Sequence, residues 1–229
     1  MAKTKREELF RDTKNWYLKT SNYASPKLIG FVTQHAYKKI LDVGCATGEY
    51  CKKLNNLGFE STGIDINSEY VAEAKTNGVE AYCMDAKSTE FPDNSFDTVL
   101  LFEVLEHIDD PQDVLIEARR VARKNILITV PDCTAASKLR SLGFTYEHML
   151  ERDHVNFFTV KDLEELLSRH FESFKIEQRE PVALGAVGLP RWLQKPIRLL
   201  HKLKIIKPNI YFRLYAVVDL TRNDEMANV

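Results

Sequence analysis

Residues 40–50 read ILDVGCATGEY. An apolar run ends in an acid, Asp42, and passes through a turn with glycines at 44 and 48 into a helical pattern. Strand, glycine turn and helix, in that order, constrain the fold more than any other stretch. They put the turn at the carboxyl edge of a parallel sheet, where such sheets bind ligands. Taken alone, Gly44 and Gly48 require only tight backbone geometry. The turn lacks the Gly-Lys-Ser/Thr of a triphosphate loop, and Ala46 stands where a dinucleotide fingerprint has its second glycine. Asp42 and Glu49 flank it, with no Lys or Arg before Lys52. Two carboxylates repel a diphosphate at close range and suit a ligand with positive charge.

The surrounding rhythm agrees with a parallel sheet. Strand-like runs occur at KKILDV, FESTGID, VEAYCM, FDTVLLF and NILITV, with helical patterns near 48–57, 68–76 and 111–123 between them. Asn77-Gly78 ends one helix and Asp110-Pro111 opens another. Apolar strands separated by helices predict a doubly wound α/β fold with helices on both faces. Earlier helices are expected at 6–19 and, from Ser25-Pro26, to about His35. Later, Thr159–Asp162 reads as a capping box, and FESFKIEQRE and YFRLYAVVDL as two further strands. The expected organisation is one domain over 1–229. It has a helical cap at 1–35, a cofactor-binding core at 36–132 and acceptor-side lid segments at 133–158 and 181–209.

Totals exclude several classes. Net charge is −1 and the four cysteines form no CxxC pair, so a zinc or disulfide framework is not expected and a reducing compartment is. The charged N-terminus has no signal-peptide core, no stretch has the length of a membrane span, and a cytoplasmic location follows as the expectation.

Two more acids define the ligand. Asp65 ends the second strand, about twenty residues after the turn, where a carboxylate accepts from both ribose hydroxyls. Asp85 ends the third, where it can meet an adenine amino group. A nucleoside with a cationic, phosphate-free tail fits all three positions, and S-adenosylmethionine is such a molecule. The stretches ILDVGCATGEY, GIDINSEYVAEAK, CMDAKSTEFPDNSFDTVLLFEVLEHIDDP and ITVPD resemble class I S-adenosylmethionine-dependent methyltransferases. The resemblance implies a Rossmann-like seven-stranded sheet whose last strand runs antiparallel. It implies cofactor contacts from Asp42, Gly44, Cys45 and Gly48, then Asp65 and Ile66, then Met84, Asp85 and Ala86. Leu101, Phe102 and Glu103 would line the floor near the methyl group.

Methyl transfer needs alignment and exclusion of water, and a hydroxyl or amine acceptor must also lose a proton. EVLEHIDDP offers Glu103, Glu106 and His107; at helical spacing the two glutamates share a face with the histidine beside them. RDHVNFFTV adds His154 next to Asp153. Glu103, Glu106, His107 and His154 form a candidate site for a divalent cation, Mg²⁺ or Mn²⁺. The pattern is similar to metal sites of O-methylating enzymes acting on small-RNA ends and on catechols. Two other readings stand beside it: metal-free catalysis with His107 as base, helped by Glu106 and His154, and a structural role in orienting the loop. His154 also has the reading of a brace for the helix at Thr159. His148 lies on a lid segment, while His35, His170 and His201 read as non-catalytic.

Between Pro181 and Val218 there is no Asp or Glu, and RWLQKPIRLLHKLKIIK combines basic and apolar residues. Three readings remain for 185–207: a packed helical cap, peripheral attachment to an anionic membrane, or a seat for an anionic acceptor. Trp16, Tyr17 and Tyr23 belong either to the acceptor pocket or to core packing. The predicted activity is O-methylation of a small-molecule or sugar hydroxyl, lipid-linked acceptors included. The alternatives are N-methylation of a small metabolite, 2′-O-methylation of an RNA 3′ end, and a non-catalytic cofactor-binding regulator. RNA ranks last, because no stacking motif or nucleic-acid module is present.

Overall fold

The central strands are apolar at nearly every position, which demands cover on both faces, and the amphipathic segments between them supply it. The computed structural model describes residues 24–141, 153–182, 191–203, 205 and 210–221. In chain order the elements are α1 (Pro26–His35), β1 (Lys39–Val43), α2 (Glu49–Asn56), β2 (Glu60–Asp65), α3 (Ser68–Thr76), β3 (Glu80–Cys83) and β4 (Phe96–Phe102). A short 3₁₀ turn at Leu105–His107 leads to α4 (Pro111–Val121), β5 (Ala122–Pro131), α5 (Ala136–Ser141), α6 (Val160–Ser168), β6 (Phe174–Pro181), α7 (Arg191–Lys202) and β7 (Tyr211–Asp219). The helix expected at 6–19, the aromatics Trp16, Tyr17 and Tyr23, and His148 lie outside the described residues.

The seven strands form one sheet in the order β3-β2-β1-β4-β5-β7-β6. Pairs among β1 to β5 are parallel, while β7 runs antiparallel to both β5 and β6. Every residue of β4 is buried, and its side chains alternate between faces as strand geometry requires. Leu41, Val43, Val99 and Leu101 pack with Val114, Leu115, Leu163 and Leu167 from α4 and α6. Ile40, Leu100 and Phe102 pack on the opposite side with Leu28, Phe31 and Val32 of α1 and Leu54 of α2.

Local signals set the helix starts. Asn67 caps α3 by accepting from the amides of Glu69 and Tyr70, and Asp110 caps α4 ahead of Pro111. Thr159 and Asp162 form the reciprocal capping box of α6. Ser25 differs from expectation: its side chain makes no cap bond to α1. Pro26 already removes one orphan donor from the first turn, and the Ser25 amide instead donates to the Tyr50 hydroxyl at 3.1 Å. Among the described residues no helix is long and apolar enough to cross a membrane.

Candidate active site

The glycine turn follows β1 and folds back on β2. The amides of Gly44 and Cys45 both donate to the carbonyl of Ile64, at 2.8 and 2.9 Å. Gly44 has φ +72°, and a Cβ there would lie 2.8 Å from a methyl of Val104. Gly63 on β2 is required for a different reason: a Cβ there would meet Cys45 Sγ at 2.6 Å. Ala46, in the second glycine's place, adopts φ +45°, a left-handed conformation that costs a side-chain-bearing residue strain.

Asp42 is 2% exposed at the tip of β1. Burial, partly opposed by the Cys51 thiol at 3.5 Å and reinforced by the charge of Asp65, pushes its carboxyl from 3.8 up to about 7. Burial also holds the Cys45 and Cys51 thiols above the ordinary range, so Cys51 faces Asp42 as an S–H donor. At the tip of β2 the Asp65 carboxylate ties two loops together: one oxygen accepts from the Ala46 amide at 2.9 Å, the other from the Asn67 amide at 2.8 Å. Each oxygen keeps lone-pair capacity for a ligand hydroxyl. Ile66 beside it is solvent-exposed. Met84 and Ala86 are half-buried around the exposed Asp85, whose carboxylate accepts from the Lys87 amide.

Glu106, His107 and His154 come together: one donor atom from each lies within 4.8 Å of the others. The backbone explains the meeting. The Glu106 carbonyl accepts from the amides of Val155 and Asn156, and the Asn156 side chain donates to the carbonyls of Leu105 and Ile108. The 153–156 stretch is thereby laced onto the 3₁₀ turn. The two imidazoles meet edge to face with centroids 4.6 Å apart. His107 Nδ1 lies 3.3 Å from the carbonyl oxygen of Asp153 and 3.5 Å from its carboxylate. A carbonyl only accepts, so in this contact Nδ1 is the donor. Glu106 is 1% exposed.

Glu103 departs from the expected four-residue set. The chain after β4 is a 3₁₀ turn beginning at Leu105, so the helical spacing that would align Glu103 with Glu106 does not exist. Glu103 has φ +56°, and its side chain turns away to accept from Thr129 Oγ1 at 2.9 Å and to pair with Arg213 at 3.2 Å. Leu101 and Phe102, expected at the floor, end β4 just before Glu103. Leu101 is fully inside the core, and Phe102 packs edge-on against Tyr50.

Sequence reading missed Arg213, which binds Glu103 and also Glu180 at 2.8 Å. Glu180 further accepts from Tyr215 Oη and from Lys27, both at 2.8 Å. Its φ of +61° is left-handed, like that of Glu103. The lone signal was an arginine in an otherwise apolar strand, YFRLYAVV. A shallow depression of about 390 Å³ between the starts of α4 and α6, lined by Asp109, Pro111, Phe158 and Asp162, shares no residue with this constellation.

Comparison with known proteins agrees with this geometry. The family model described as "Methyltransferase domain" matches residues 41–129, from within β1 to Thr129 in β5. Uncharacterized protein MJ1123 of Methanocaldococcus jannaschii is 28% identical over 145 residues, or 60% of this chain and 66% of that protein. A ubiquinone biosynthesis O-methyltransferase of Hahella chejuensis is 30% identical over 109 residues, 43% of this chain and 46% of that enzyme. The chain spans about half the length of the ubiquinone O-methyltransferases it matches. A solved S-adenosylmethionine-dependent methyltransferase from Archaeoglobus fulgidus superposes with a TM-score of 0.63 at 19% identity, covering 90% of this chain and 98% of that one. The matched domain and the shared fold converge on one conclusion: residues 41–129 carry a methyltransferase domain, set in a Rossmann-like seven-stranded fold shared with S-adenosylmethionine-dependent methyltransferases.

Proposed function

We propose that this protein methylates a hydroxyl on a small-molecule or sugar acceptor, lipid-linked acceptors included, using S-adenosylmethionine. The observation that carries the reading is the Glu106–His107–His154 cluster beyond β4, next to the turn that follows β1. The ubiquinone O-methyltransferase relatives support oxygen as the acceptor atom.

The cradle suits the cofactor. Gly44 and Gly63 are positions where a Cβ would collide, Asp65 offers both carboxylate oxygens, and Asp42 is a buried acid whose ionisation a nearby cation would favour. S-adenosylmethionine brings a methyl group already activated on a sulfonium sulfur. The chain then has to align the acceptor, exclude water and accept one proton. His107 Nε2 takes the proton of the acceptor hydroxyl as general base, while Asp153 at Nδ1 holds the tautomer and stabilises the imidazolium that forms.

One carboxylate and two imidazoles also form a donor set suited to a divalent cation such as Mg²⁺ or Mn²⁺. Such an ion would lower the pKa of an acceptor hydroxyl. Formation of S-adenosylhomocysteine from S-adenosylmethionine and fractionated cell extract tests the main reading. A hydroxyl-bearing product supports it. Cofactor binding without turnover on any fraction would instead favour a regulator.

A further inference from the structure

The connection between β6 and β7 leaves the sheet at Pro181 and returns at Tyr211. Because β7 is antiparallel to its neighbours, both points lie at the carboxyl edge, the edge that carries Asp42, Asp65 and Glu106. The base of the excursion is closed by the Val182 amide donating to the Ile210 carbonyl at 2.9 Å. Ile210 and Leu139 are buried there, with Val182 packed against them.

α7, within this excursion, exposes what helices usually bury. Trp192 is 72% exposed, Leu199 54% and Leu203 59%, and Ile205 just past the helix is 66% exposed. At 100° per residue, positions 192, 199 and 203 fall within about 40° of one another and make one stripe. Positions 191, 195, 198 and 202 are all Lys or Arg and follow one flank of it, and Lys195 is exposed. No acid occurs between Pro181 and Val218. A bare apolar stripe on a soluble domain marks an interaction surface. A stretch with four basic positions on one side of the helix and no acid in the same sequence segment selects an anionic partner, and an exposed Trp–Leu–Leu face suits the boundary between lipid headgroups and acyl chains.

We propose that α7 docks this protein on an anionic membrane surface, with Trp192, Leu199 and Leu203 entering the acyl boundary and the basic flank on the headgroups. The helix lies in the plane of the interface. The two strand ends that α7 connects lie at the carboxyl edge, the edge that carries the candidate active site. The docking itself does not depend on methyl transfer.

The test is flotation of the full chain with vesicles of phosphatidylcholine alone, or with one third phosphatidylglycerol. No cofactor or acceptor is added, so failure here is distinct from failure of the catalytic reading. The expected result is flotation with the anionic vesicles only, weakened by salt. Trp192 fluorescence in a Trp16→Phe background should shift to the blue. Leu199→Ser with Leu203→Ser should weaken binding at least tenfold, and Lys195→Glu several-fold, with unchanged circular dichroism. No flotation with either vesicle would overturn the proposal. So would equal binding to both vesicles that Lys195→Glu leaves unaltered. A concentration-dependent dimer that the double serine variant abolishes, without lipid binding, would assign the stripe to a second copy of the chain instead.

Discussion

Arg213 on β7 holds Glu103 at the end of β4 through a 3.2 Å contact between Nε and Oε1. The same guanidinium grips Glu180 from β6, and Glu103 and Glu180 both sit in the left-handed region. Each left-handed residue costs on the order of 1–3 kcal/mol, and such strain persists only where surrounding contacts over-determine it. The arginine therefore joins three strand ends and, through the Lys27–Glu180 pair, the start of α1.

Replacing Arg213 by Met should strand two partly buried carboxylates and lower stability by roughly 2–4 kcal/mol. Adding Glu103→Gln to that variant should recover part of the loss, since the charge left behind is removed. Urea denaturation of the single and double variants measures both effects. Equal stability of Arg213→Met and the unaltered chain would remove the clamp from this account.

Glu106→Gln, His107→Ala and His154→Ala should each lower kcat by about 10²–10⁴-fold if one of them moves or positions the proton. S-adenosylmethionine affinity by calorimetry should stay within a factor of about two, because none of the three lies on the turn that cradles the cofactor. Exhaustive chelation separates the two roles of the cluster. Loss of activity restored by Mn²⁺ assigns ion ligation, and unchanged turnover assigns the proton to His107.

Asp42 gives the protein a pH signature. Its carboxyl is raised from 3.8 to about 7 by burial. Between those values the folded chain holds a proton that the unfolded chain releases, so rising pH favours unfolding across that window and has no further effect above it. The full window corresponds to on the order of 4 kcal/mol. Asp42→Asn should flatten this slope in denaturation curves taken from pH 4 to 8. Binding a cationic ligand should release a proton near pH 6, visible as buffer-dependent heat, and affinity should fall as pH drops below about 7.

Gly63→Ala should displace the turn rather than the sheet, because its Cβ would press on Cys45 Sγ at 2.6 Å while β2 stays paired on both sides. The expected loss is about 1–3 kcal/mol of stability, with S-adenosylmethionine binding weakened at least tenfold. Cys45→Ala in the same chain should restore only part of the affinity, because it removes the sulfur while the Cβ of residue 45 still lies 2.8 Å from the new methyl. A single Gly63→Ala variant that binds normally would contradict this packing.

Amino-acid order alone determined the alternation of strands and helices, the glycine turn, and the acids at residues 42, 65 and 85. Those are local matters: residue periodicity, capping and turn chemistry act over a few positions, and a parallel sheet then puts successive strand tips on one edge. Tertiary structure alone decided which chemistry-bearing side chains meet. Glu103 and Glu106 are three residues apart yet diverge, because a left-handed residue and a 3₁₀ turn replace the helix that would have aligned them. His107 and His154 are distant in sequence yet touch, because backbone hydrogen bonds fasten 155 and 156 to Glu106. Arg213 finds Glu103 across the sheet for the same reason: strand register, which no short pattern encodes, chooses its neighbours.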